Sequence, residues 1–203
     1  MNFYHDLVTD KSWELLKKLK KNYDFILIGG WAVFLYTHAL KSKDIDLVCE
    51  YDQLEKLKEE FAILKNERLK KYEAKTGGMD IDIYLPYYSN PGLPAEELKK
   101  YKWVVEGFTT VEKEILAILK QKVLLERKAS LKGRKDLADL ISLLRLPDFN
   151  WKMYQKIIKE YKLTSHLALI REIIQKTKAV EELDLNVHQM ARLKKKILTN
   201  IIG

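Results

Sequence analysis

The chain has 203 residues, 47% of them apolar and 33% charged, with a net charge of +8. That length buries a full core in one or two small domains, and the composition is that of an ordinary globular protein. A single cysteine, Cys49, excludes an internal disulfide and fits a reducing cytoplasm, and the longest apolar run, Phe25 to Tyr36, is too short to cross a bilayer. The N-terminus shows no basic-then-apolar leader pattern, so a cytoplasmic protein with no membrane partner is expected.

Residues 6–22 read as an amphipathic helix whose apolar stripe is Trp13, Leu15, Leu16 and Leu19. Phe25 to Ile28 is an apolar run suited to a buried strand. Gly29-Gly30 follows, and then a mostly apolar segment with helical spacing. Lys41-Ser42-Lys43 leads into Asp44-Ile45-Asp46, and Leu47-Val48-Cys49 continues a second strand in which Cys49 packs in the core.

Each part of this stretch has a chemical reason. Paired glycines let the backbone take positive φ and approach a ligand closely, because no Cβ intervenes. A helix that starts there aims unpaired N–H groups and a positive dipole end at the same place, a ready site for phosphates. Asp44 and Asp46, two apart on a strand, project from one face. Two carboxylates beside a phosphate cradle can hold Mg²⁺ against a triphosphate. A Gly-Gly or an Asp-x-Asp alone is more often structural; the weight lies in their order around one predicted helix.

That order resembles the polymerase-beta-like nucleotidyltransferases, whose motif runs apolar strand, Gly-Gly or Gly-Ser, helix, then Asp-x-Asp opening the next strand. In haloacid-dehalogenase-type phosphatases and many glycosyltransferases the apolar strand precedes the acids instead. The resemblance implies transfer of a nucleoside monophosphate from an NTP to an acceptor hydroxyl with release of pyrophosphate. It implies Mg²⁺ or Mn²⁺ on Asp44 and Asp46, and phosphates cradled by Gly29, Gly30 and the backbone of Trp31.

Further along, Asp52 to Leu64 has helical spacing, and Arg68 to Ala74 reads as a strand. Thr76-Gly77-Gly78 marks a turn, and Met79 to Leu85 alternates strictly, which predicts a hairpin. Asp80, Asp82 and Tyr84 share one face of that strand; Ile81, Ile83 and Leu85 share the other. The resemblance implies a third carboxylate on a neighbouring strand, which completes the metal site and takes the proton from the attacking hydroxyl. Ile81-Asp82-Ile83 matches that motif, so Asp82 is carried over, with Asp80 in reserve. Tyr87 to Pro94 is a loop, Ala95 to Tyr101 a short helix, and Trp103 to Phe108 a last, edge-like strand. Thr109 with Glu112 fits a capping box that opens a long helix over 111–128.

The excess charge is unevenly placed. Residues 1–110 hold 17 Lys+Arg and 18 Asp+Glu; residues 111–203 hold 20 and 11. A basic second half suits a polyanionic ligand such as a nucleotide or RNA, and a lysine-rich solvated helical surface gives the same count. On the long helix Lys122 falls on the stripe of Ile115, Ile118 and Leu119, where it either snorkels to water or meets an anion. Residues 130–133 read as a loop, and Arg134-Lys135-Asp136 opens a helix through Leu146. Lys122, Arg127, Lys135, Asp136, Asp139 and Leu140 together are similar to the AbiEii-type, toxin-like branch of these enzymes. That likeness implies that Lys122, Arg127 and Lys135 help hold the triphosphate; it suggests an RNA or tRNA acceptor, with small-molecule and protein hydroxyls still open, and an antitoxin or helical-domain partner. Without it, Asp136 is a favourable first-turn acid at a helix dipole. Lysine-rich helices over 150–161, 164–178 and 186–200 complete the chain, and the last, with Arg192 and Lys194 to Lys196, suits either RNA backbone or an ordinary amphipathic role.

The expectation is therefore an α/β (α+β) protein. A small mixed-sheet nucleotidyltransferase domain spans 1–110, and a basic helical bundle spans 111–203. The rival readings are a non-catalytic nucleotide- or RNA-binding module and the partner component of a toxin–antitoxin pair.

Overall fold

The computed structural model describes residues 6–127 and 131–202, with side chains over 6–126 and 133–201. They form two compact units, one ending at Glu112 and the other starting at Lys113. The first is a mixed sheet with helices and the second is helical, an α/β arrangement. No helix among the described residues is long and apolar enough to cross a membrane.

In the first unit, helix α1 spans Asp6–Asn22 and buries Leu16 and Leu19, the centre of its predicted stripe. Its Ser12 hydroxyl, fully buried, accepts a 2.9 Å hydrogen bond from the indole Nε1 of Trp31. Trp31 lies in α2 (Gly29–Thr37), between strands β1 (Ile26–Ile28) and β2 (Ile45–Val48). Helix α2 begins on the glycines themselves and not after them. Gly29 takes φ +70° and turns the chain from strand into helix within one residue.

Helix α3 (Tyr51–Glu60) is shorter than the spacing predicts. Leu64 continues the three-and-four periodicity, yet Ile63–Asn66 is strand β3, and Leu64 is 72% exposed. Ladder pairing of Ile63 to Asn66 with Ala74 to Lys71 outweighs the helical pattern there. Strand β4 (Lys71–Thr76) begins three residues later than expected, after a turn over 67–70. The predicted hairpin joins it to β5 (Met79–Tyr84) through Gly77-Gly78, both with positive φ, as a two-residue turn requires.

The five strands lie in the order β1-β2-β5-β4-β3. Only the β2–β5 pair is parallel. Register partners share a face, so one face carries the apolar row Leu27, Leu47 and Ile83, all buried. The other face carries the polar row described below.

Two expectations fail between 102 and 112. The single strand over 103–108 is a hairpin, β6 (Lys102–Val105) and β7 (Phe108–Val111), reversed at Glu106-Gly107 with φ +50° and +75°. Thr109 and Thr110 belong to β7 and form no capping box; the Thr110 hydroxyl donates a 2.7 Å bond to the Leu27 carbonyl, which ties the hairpin to β1.

The second unit consists of α4 (Lys113–Arg127), α5 (Leu131–Leu144), α6 (Trp151–Glu160), α7 (Thr164–Lys176) and α8 (Val187–Ile202). Asn150 caps α6 through Met153 N, and Asn186 and Gln189 form a reciprocal capping box before α8. Helix α5 starts at Leu131, before the expected Arg134, so Asp136 lies inside it and not in its first turn. Ser130, in the expected loop, lies outside the described residues.

The α4–α5 contact holds a buried ion cluster. Lys120 Nζ lies 2.6 Å from Asp139 Oδ2 and 3.1 Å from Asp136 Oδ1, and Lys135 Nζ lies 3.0 Å from Asp139 Oδ2. Burial alone would raise the Asp139 carboxyl, but the charges of Lys120 and Lys135 outweigh it and hold it below the usual range. Removing Asp139 takes a counter-charge from both buried lysines. Asp139→Ala should therefore lose about 3–5 kcal/mol of stability by denaturant titration at pH 7. The double variant Lys120→Met/Asp139→Leu should lose less.

Candidate active site

Gly29, Asp46, Asp82 and Glu73 stand side by side across the polar face. Ile28, just before Gly29, is the register partner of Asp46; Asp46 is the partner of Asp82; Asp82 is the partner of Glu73. Adjacent strands are about 4.8 Å apart, so this is one transverse row of carboxylates ending at the start of α2. A Cβ built on Gly29 would lie 2.0 Å from Asp46 Oδ2 and 2.5 Å from its Cγ. Glycine is thus required there twice, for the left-handed φ and for the approach of the carboxylate. The carboxylate sits at a helix N-terminus that Ile28 leaves without a side-chain cap, and the dipole favours a negative charge there.

Asp44 precedes β2, and its Oδ1 accepts a 3.1 Å bond from the backbone N–H of Asp80, with Lys43 Nζ at 3.8 Å. It fixes the start of β5 against β2. The sequence left Asp80 and Asp82 as alternatives. The structure brings Asp82 beside Asp46, while Asp80 meets Asp44 through its backbone. The Tyr84 hydroxyl reaches Asp46 Oδ1 at 3.5 Å.

Lys71, on β4, was not singled out from the sequence. Its ammonium lies 2.6 Å from Asp82 Oδ2 and 2.9 Å from Glu73 Oε1, with 11% of its side chain exposed. Asn66 Nδ2 donates to the same Glu73 oxygen at 3.0 Å. Burial, and then the charge of Asp46, push the Asp82 carboxyl up to about 7 against the opposing pull of Lys71. Burial would also raise Glu73, but Lys71 overrides it and lowers that carboxyl.

Carboxylate oxygens are the donors that a hard divalent cation takes. Asp46 and Asp82 are register partners, and burial first, then the charge of Asp46, forces Asp82 towards its neutral form, a conflict that a bound divalent cation would relieve. Among the described residues no group of three or more His, Cys, Asp or Glu side chains converges to hold a metal ion.

The basic residues expected at the triphosphate all lie in the second unit. Lys122 is half-buried on α4, and its charge lowers the imidazole of His166, which burial lowers more. Arg127 ends α4, and its side chain lies outside the described residues. Lys135 is no open cation, since its ammonium is buried against Asp139. The buried lysine of α4 is Lys120 and not Lys122, a distinction that helical spacing does not carry. Trp31 is 1% exposed, and Gly30 is buried beside it at the start of α2.

No protein-family model and no curated protein matches this chain. Solved structures do. ANT(2")-Ia, in complex with adenylyl-2"-tobramycin, aligns over 79% of this chain and 99% of its own, with a TM-score of 0.53 and 13% identity. This chain shares the fold of that protein. An antigenic nucleotidyltransferase-like protein from Paracoccidioides brasiliensis aligns over 89% of this chain and 93% of its own at 18% identity and a TM-score of 0.47. JHP933 from Helicobacter pylori aligns over 96% and 95% at 16% identity and a TM-score of 0.47.

Two outcomes test the geometry of the row. Gly29→Ala should cost at least about 1–2 kcal/mol through the left-handed backbone alone. Its cost should shrink in an Asp46→Ala background, where the two nearest clashing atoms are gone, as a double-mutant cycle would measure. The second outcome concerns pH. The folded-state carboxyl of Asp82 lies above its unfolded value of 3.8, so its contribution is fully present below about 4 and is lost as the pH rises through about 7. In chelator-treated protein, the melting temperature of the wild type should therefore fall relative to Asp82→Asn across that window. A pH-independent difference would place the carboxyl at its ordinary value.

Proposed function

We propose that the chain is a nucleotidyltransferase that moves a nucleoside monophosphate from an NTP to an acceptor hydroxyl. The observation that carries this reading is the row itself: a left-handed glycine opening a helix, with Asp46 against it and Asp82 beside Asp46. Asp44, Asp46 and Asp82 would hold Mg²⁺ or Mn²⁺, which when bound supplies Lewis-acid stabilisation of the triphosphate. The N–H groups of Gly29, Gly30 and Trp31 bind phosphate oxygens at the start of α2. The acceptor oxygen bonds to the α-phosphorus, the bond to the bridging oxygen breaks, and pyrophosphate leaves. Asp82 takes the proton of the attacking hydroxyl. This reading rests on the first unit alone; Lys122, Arg127 and Lys135 carry no part of it.

Two acceptor classes have support. The basic second half and the likeness to the AbiEii-type branch favour RNA, tRNA included, and with it a toxin–antitoxin setting. The complex of ANT(2")-Ia with adenylyl-2"-tobramycin favours a small hydroxyl compound. Salt separates them, because phosphate contacts release counterions and weaken steeply with ionic strength.

The test is titration calorimetry with each NTP, with and without Mg²⁺, followed by transfer of labelled NTP to total RNA or to aminoglycosides. Magnesium-dependent binding should vanish in the Asp44→Ala/Asp46→Ala variant, and transfer should fall by at least about 10²-fold while the fold persists. Transfer that survives the double substitution removes the assignment. Folded protein that binds no NTP in any arm and transfers nothing favours a non-catalytic module.

A further inference from the structure

We propose that Lys71 is a positioning residue: it anchors Asp82 through one carboxylate oxygen and sets the affinity of the acidic row for a divalent cation. The inference rests on the metal-dependent reading of that row and adds to it a residue that no acidic motif contains.

The argument starts from register. Lys71 and Glu73 are two apart on β4 and so share a face. Glu73 is directly opposite Asp82, which makes Lys71 the diagonal neighbour of Asp82, a distance that a lysine side chain spans. The ammonium meets Asp82 Oδ2 at 2.6 Å on one side and Glu73 Oε1 at 2.9 Å on the other. Asn66 Nδ2 holds the same Glu73 oxygen at 3.0 Å. A chain of polar contacts, Asn66 to Glu73 to Lys71 to Asp82, thus runs from the edge strand β3 to the centre of the sheet. It occupies Oδ2 of Asp82 and restricts rotation of that carboxylate.

Charge gives the second part. A divalent cation takes Asp46 and Asp82 as carboxylates; with Glu73 ionised and Lys71 protonated, the row then carries two net negative charges, the charge that one divalent cation neutralises. Without the ammonium the row carries three, and Asp82 is free to rotate. Removing Lys71 should therefore tighten cation binding while loosening the geometry that uses it. A lysine that served only to stabilise the fold would not produce that opposition. Buried ion pairs are in any case weak sources of stability.

The experiment uses the full chain with Mn²⁺ as the probe, followed by electron paramagnetic resonance of free Mn²⁺. Wild type is compared with Lys71→Met, Lys71→Gln and Lys71→Arg, each checked for folding by circular dichroism. At pH 8.5, where a proton competes less for Asp82, Met and Gln should tighten the Mn²⁺ dissociation constant by about tenfold or more, as loss of a unit charge a few ångströms away requires. Arg should stay near wild type. In the transfer assay Met and Gln should lower kcat with KM for the NTP little changed. Equal Mn²⁺ affinity in wild type, Met and Gln, or weaker binding in the variants, overturns the role of Lys71 and leaves the metal site standing. No Mn²⁺ binding to any of the four proteins overturns the metal reading itself and the inference with it.

Discussion

The first unit is built around a repulsion. Asp46 and Asp82 are register partners on the parallel strands β2 and β5, and burial adds to the cost of charging both. Like charges at paired positions destabilise a sheet, so the surrounding structure has to hold the register against them. Ile45 with Ile81 and Leu47 with Ile83, all buried on the opposite face, supply that hold. Asp44 adds a direct tie from the end of the loop before β2 to the start of β5. Slipping this register by one residue would turn every apolar side chain of the two strands to the wrong face. The carboxylates are thus kept together by side chains that never touch them.

Much of this was legible in the sequence, for a reason specific to strands. A two-residue Gly-Gly turn fixes its hairpin register, and with Thr76 opposite Met79, counting outward puts Glu73 opposite Asp82. The alternation of Met79 to Tyr84 then gives the face. Glu73 and Lys71 follow from that count, although neither belongs to an Asp-x-Asp pattern. Asp82 over Asp80 was a different matter. It depends on the parallel register of β2 with β5, a pairing across a long connection that no local pattern encodes.

The misses elsewhere follow the same line. Leu64 fits a helical stripe, but its backbone pairs with β4, and a long-range ladder overrides local spacing. Glu106 takes a left-handed conformation rarely adopted by a glutamate, so the β6–β7 reversal offered only Gly107 as a signal. In the helical unit the stripe of α4 identified a lysine out of place, yet chose Lys122, while the buried one is Lys120. What buries Lys120 is the pair of aspartates on α5, and a partner on another helix is invisible to the periodicity of the first.

Lys71 and Lys120 make an instructive pair, because both are lysines withdrawn from water between two carboxylates. Among the described residues of that helix cluster, Lys120 and Lys135 face Asp136 and Asp139 in equal numbers, so these four charges balance. Its members lie almost wholly out of solvent, and a balanced, dry cluster offers nothing to a ligand except the loss of its own contacts. The row around Lys71 is different on both counts. Its acids outnumber its base, and Glu73 and Asp82 keep 25% and 17% of their side chains exposed. An acidic surplus that solvent can reach, placed against a helix N-terminus, is costly to fold, and the proposed transfer gives it a use in bringing a cation and an anion together. Charge balance and access, more than the presence of buried ions, distinguish the cluster that holds the helices together from the row that can do chemistry.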